Sequence, residues 1–83
     1  GNPRPKFLLR EADVVAIKLF GQDQSHSRLE LRPSHFSPKT LELIAFRRTL
    51  ECPENKKMSC SYTDNKNEWN GRVSIQRMVA RIF

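Results

Sequence analysis

Apolar and polar positions alternate along most of this chain, and a period of two predicts strands. From Ala12 to Phe20 the run A-D-V-V-A-I-K-L-F is rich in β-branched residues. The alternation places Val15, Ile17 and Leu19 on a buried face, with Val14, Ala16, Lys18 and Phe20 on a partly apolar, partly basic one. Gly21 to Ser25 is a turn cluster. His26 to Arg32 sets Ser27, Leu29 and Leu31 against Arg28, Glu30 and Arg32, a half-exposed strand that pairs with the first as a hairpin. Pro33 to Pro38 is a proline-bounded loop. Lys39 to Phe46 fits both strand alternation and one helical face; its neighbours favour a strand. Arg47 to Lys57 is polar, broken at Cys52-Pro53, with at most a short helical turn. Met58 to Asp64 sets Met58, Cys60 and Tyr62 on one face. Asn70-Gly71 is a strong hairpin signal of type I′. Val73 to Phe83 puts Val73, Ile75, Val79 and Phe83 on one face, interrupted by Arg77 and Arg81.

The sum is an all-β domain of five strands. So few strands leave exposed edges unless the sheet closes on itself. Small closed architectures of this kind are OB-type and SH3-type barrels. The long first strand suits an OB barrel, in which it bends and pairs on both sides. Gly1 to Pro5, with two prolines, starts neither a helix nor a central strand. Residues 1–6 are therefore expected to be a linker arm and 7–83 the barrel.

Composition narrows the function. At 83 residues the chain has room for one small core. No apolar run approaches the roughly 20 residues that span a membrane. No secretory leader is visible either, so a soluble, cytoplasmic protein is expected. Fifteen Lys and Arg against nine Asp and Glu give +6, a balance that attracts polyanions. Cys52 and Cys60 lack the spacing of a zinc site, and His26 and His35 lie far upstream. Both thiols are expected to be buried or half-buried, with a disulfide left open. No nucleophile–base pair and no glycine-rich phosphate loop is present, so no catalysis is expected.

Ten cations could line a phosphate-binding groove: Arg28, Arg32, Arg47, Arg48, Lys56, Lys57, Lys66, Arg72, Arg77 and Arg81. Alternatively they are solvated charges that protect strand edges. Arg77 and Arg81, set in an apolar row, are the more informative pair, because a cation there must reach solvent or a partner. Trp69 beside the hairpin tip is expected to pack over the barrel end; base stacking is the alternative reading. Phe36 in the Pro33–Pro38 loop is the better candidate for a base contact, and Tyr62 is expected in the core. His26 follows the Gly21–Ser25 turn and is read as a hairpin residue, with a phosphate contact or a plain surface position as alternatives.

Several segments, in matching order, resemble one family. Gly1 to Phe7, G-N-P-R-P-K-F, resembles the joint that leads into the OB domain of RecJ-type single-strand-specific DNA exonucleases. Gly21 with His26-Ser27-Arg28-Leu29, Ile44-Ala45-Phe46, and Asn67-Glu68-Trp69-Asn70-Gly71 followed by Ser74-Ile75-Gln76 are similar to later segments of the same domain. Ser27 stands where the family usually has Leu, Arg77 where it more often has Leu, and the Pro33–Pro38 loop is long. The resemblance implies a single-stranded DNA-binding module of a bacterial, cytoplasmic 5′-3′ exonuclease of DNA repair and recombination. The family's Asp-His-His motif, which binds Mg²⁺ or Mn²⁺, is absent from this sequence, so the fragment is expected to be non-catalytic and cofactor-free. DNA binding is assigned to Arg28, Arg32, Phe36, Arg47, Arg48, Lys66, Trp69, Arg72, Arg77 and Arg81. A monomer without membrane contact is expected. Alternatives are a barrel that docks an acidic tail, such as that of the single-stranded DNA-binding protein, or a structural clamp on the nuclease core.

Overall fold

The computed structural model describes residues 5–34 and 36–83; most of the expected arm, and His35, lie outside them. Five strands form: β1 (Phe7–Phe20), β2 (His26–Arg32), β3 (Leu41–Ala45), β4 (Lys57–Trp69) and β5 (Arg72–Ile82). They close into a barrel in the order β1-β2-β3-β5-β4. β3 and β5 run parallel and the other neighbours antiparallel. This is the five-stranded OB arrangement, with no helix among the described residues.

β1 closes the ring because it serves two partners. Its first half pairs with β4 and its second with β2, and Asp13 stands opposite both Lys57 and Arg32. Two irregularities bend it, as bulges do. Arg10 and Glu11 together face the single residue Ser59. Glu11 takes a φ of +48° and donates its N–H to Ser59 Oγ at 2.8 Å. Further on, Val14 pairs with Leu31 and Ala16 with Glu30, which leaves Val15 unpaired.

That second bulge corrects the face expected for β1. Val14 is buried and, after the bulge, Ile17 packs against the core, while Val15 is exposed; Leu19 follows Ile17 on the inward row but is exposed at the strand's end. β1 also starts five residues earlier than the alternation from Ala12 suggests. A third bulge corrects β5. Tyr62 pairs with Val79 and Ser61 with Arg81, so Ala80 is the extra residue. Arg77 shares the inward row with Val79, whereas Arg81 points outward, so the two arginines do not share a face.

The core is Ala12, Val14, Leu29, Leu31, Leu43, Met58 and Cys60, with Leu9, Ile17, Leu41, Leu50, Tyr62, Val79 and Ile82 packed around it. Burying each large aliphatic side chain contributes about 1.5–3 kcal/mol. Ser27 is fully buried on the inward face of β2. Its Oγ donates to the Arg48 carbonyl at 2.6 Å and accepts the Leu50 N–H at 3.0 Å, so the hydroxyl is satisfied. Both thiols are free; Cys60 is buried, but Cys52 is exposed in the β3–β4 connection, contrary to expectation, because that segment runs outside the core.

Candidate nucleic-acid interface

Register fixes which side chains share the outer surface. Leu29 and Leu31 point inward, so Arg28, Glu30 and Arg32 point out, as do their partners Lys18 and Ala16 on β1 and Glu42 on β3; Ile44, opposite Arg28, is buried. At the β1–β2 turn, Phe20 lies opposite His26. The two rings stand 5.3 Å apart, and Phe46, just past β3, meets His26 edge-on at 5.2 Å. The Arg28 guanidinium lies 5.3 Å over the Phe20 ring and also pairs with Glu42 at 3.3 Å. Three rings and two cations, Lys18 and Arg28, therefore share one patch.

The turn that carries this patch is built tightly. Gly21 has a φ of +98°, and a Cβ there would sit 2.7 Å from His26 Cδ2. Ser25 Oγ donates to Asp23 Oδ1 at 2.7 Å, and this bond holds the Asp23 carboxyl below the usual carboxylate range. His26 Nδ1 accepts the Arg47 N–H at 2.8 Å, which places Arg47 and Arg48 beside the rings.

A second group lies at the opposite end. The β1–β4 ladder stops at Phe7–Tyr62, and β3 meets β5 only at Arg77 and Met78. Beyond those pairs β4 and β5 continue as a two-stranded ribbon to the pair Trp69–Arg72, closed by Asn70 and Gly71, both at positive φ. Alternation from outward Met78 carries the outer face to Gln76, Ser74 and Arg72 on β5 and to Asn65, Asn67 and Trp69 on β4. Asn67 Nδ2 donates to Gln76 Oε1 at 3.2 Å on that face. Trp69 is 77% exposed, so it does not pack over the barrel end; the ribbon carries it past the core. The parallel β3–β5 register places the Pro33–Pro38 loop at this same end, and Phe36 there is 91% exposed.

The ten expected site residues thus fall on different surfaces. Arg28 and Arg32 lie on the outer face of β2, with Arg47 and Arg48 at its start. Trp69 and Arg72 continue the outer face onto the ribbon, with Phe36 at the same end. Lys66 and Arg77 occupy the other ribbon face, where Arg77 approaches Asp64 at 3.9 Å. Arg81 lies on the β1–β4–β5 wall, its guanidinium 5.4 Å over Phe83. Lys56 immediately precedes β4, and Lys57, its first residue, pairs with Asp13.

Lys18, Phe20, His26 and Phe46 were not among the residues assigned to DNA. The signal for three of them was present. In hairpin register, Lys18-x-Phe20 and His26-x-Arg28 place two cations and two rings on one face.

No group of three or more His, Cys, Asp or Glu among the described residues could hold a metal ion. The model of the family described as the RecJ OB domain matches residues 1–81. A search of curated proteins found no match.

Proposed function

The chain belongs to the RecJ OB-domain family, and from that premise we propose that it is the single-stranded DNA-binding module of a RecJ-type 5′-3′ exonuclease. Such an enzyme would act in DNA repair and recombination in the bacterial cytoplasm. Its Mg²⁺ or Mn²⁺ chemistry would belong to the catalytic core. The carrying observation is the outer face of β1–β2–β3, where the Phe20 and Phe46 rings, spaced by His26, lie among Lys18, Arg28 and Arg47. Rings that stack bases and cations that track phosphates bind single strands without reading sequence. Exposed Trp69 and Phe36, with Arg72, extend the strand's path to the far end of the barrel.

Fluorescence anisotropy of labelled oligo-dT across a salt series, with equal-length duplex as control, tests this. Binding that prefers the single strand, with a log–log salt slope of about −0.7 per phosphate contacted, is expected. Arg28→Ala should flatten that slope, and Trp69→Ala should weaken binding by about 1–3 kcal/mol with the slope unchanged. No binding at low salt would leave the domain as a clamp on its nuclease core.

A second reading, docking of an acidic tail with an apolar end, is favoured by one feature. Leu8 and Phe83, both exposed, line a shallow pocket of about 490 Å³ with Arg10, Glu11 and Ser59. The tail of the single-stranded DNA-binding protein has that chemistry. A short acidic peptide that saturates the domain and fails to compete with oligo-dT would support this second site.

A further inference from the structure

The turn after β3 is held in a conformation that its own sequence does not favour. Arg47 has a φ of +58°, a left-handed geometry that a residue bearing a Cβ keeps only when its surroundings enforce it. Two consecutive β2 residues do so from the two sides of the sheet. His26, on the outer side, accepts the Arg47 N–H, and Ser27, on the inner side, holds the Arg48 carbonyl and the Leu50 N–H. His26 is itself fixed, between Phe20 and Phe46 and against Gly21. A leucine at position 27 could hold neither backbone group.

The guanidiniums at positions 47 and 48 are exposed and have no carboxylate partner among the described residues. Two unneutralised cations thus stand on a pinned backbone beside the half-exposed Phe46 ring. We infer that His26 and Ser27 form a latch that preorganises the Arg47–Arg48 turn as a phosphodiester-binding subsite, with Phe46 as the surface for the adjoining base. A pinned backbone removes the part of the ordering penalty that a mobile turn would add to that of the two side chains. His26 and Ser27 are positioning residues here, acting through the turn. The inference rests on the nucleic-acid reading above and adds the device that builds one part of the site.

The test compares oligo-dT affinity and salt slope for the wild-type chain, Arg47→Ala/Arg48→Ala, His26→Ala, Ser27→Ala and His26→Asn. The double arginine variant should flatten the slope by about 1.4, the value for two phosphate contacts. His26→Ala and Ser27→Ala should each weaken binding roughly five- to tenfold, and His26→Ala should have no further effect in the double arginine background. His26→Asn, whose Oδ1 can take the place of Nδ1, should recover most of the affinity. If His26→Ala unfolds the domain, Ser27→Ala carries the same comparison. Unchanged affinity in a folded latch variant, or full additivity with the arginine variant, would overturn the latch. If the wild-type chain binds no DNA, the functional reading fails separately. Inorganic pyrophosphate, followed by NMR at the Arg47–Leu50 amides, then decides the subsite. Shifts lost in His26→Ala support it, and no shift in the wild type refutes it.

Discussion

Gly21 and His26 act as one unit. The glycine accepts a φ of +98° and leaves the space that the imidazole occupies. Gly21→Ala meets both obstacles, the strained backbone and the 2.7 Å approach of His26 Cδ2. It should destabilise the domain by about 1–3 kcal/mol, read as a lower urea midpoint at unchanged m-value. The sequence marked Gly21 as a turn residue and His26 as its neighbour. It did not reveal that His26 and Ser27 hold residues some twenty positions ahead, because those partners, Arg47, Arg48 and Leu50, meet them only through the fold. The cysteines divide similarly. Burial pushes the Cys60 thiol above its ordinary value. The folded state therefore holds it neutral at a pH where the unfolded chain ionises it. Its contribution to stability is intact below the ordinary thiol range and is lost as pH rises through the raised value. Urea midpoints should fall with alkalinity more steeply in wild type than in Cys60→Ala, while iodoacetamide should label exposed Cys52 first.

At the scale of elements, alternation was a good guide where strands are regular and failed at bulges. β2 shows the regular case: Ser27, Leu29 and Leu31 point inward, as their period of two requires. β1 and β5 show the other. One unpaired residue, Val15 or Ala80, exchanges the faces of everything beyond it, and nothing local in V-V-A or V-A-R announces the insertion. The I′ turn was legible in Asn70-Gly71, but the length of the ribbon was not, since its polar run Asp64 to Glu68 has no apolar face to betray a strand. Among the described residues no third strand pairs with the ribbon, and two-stranded ladders are marginal in water. Amide hydrogen exchange should therefore be faster over Asn65–Trp69 and Arg72–Ile75 than over Ile17–Phe20 and Leu29–Leu31. Equal protection in both regions would mean that something covers the ribbon.

Across the whole molecule the +6 charge is not spread as a single groove. The barrel separates the cations. Arg28, Arg32 and Arg47 stand with the rings on the β1–β2–β3 side, and Arg81 stands with Phe83 on the opposite wall. This division was out of reach of the sequence, which gives composition but not the side of a closed sheet. The closure itself was legible, because five strands with one unusually long first member leave few ways to remove edges. The division also makes the site testable in one experiment, an NMR titration of the domain with oligo-dT. Amide shifts should concentrate at Lys18–Phe20, His26–Arg28 and Phe46–Arg48, and continue to Trp69–Ser74. Shifts confined to Leu8–Arg10, Ser59 and Phe83, or none at saturating oligonucleotide, would contradict the assignment of the β1–β2–β3 face to single-stranded DNA.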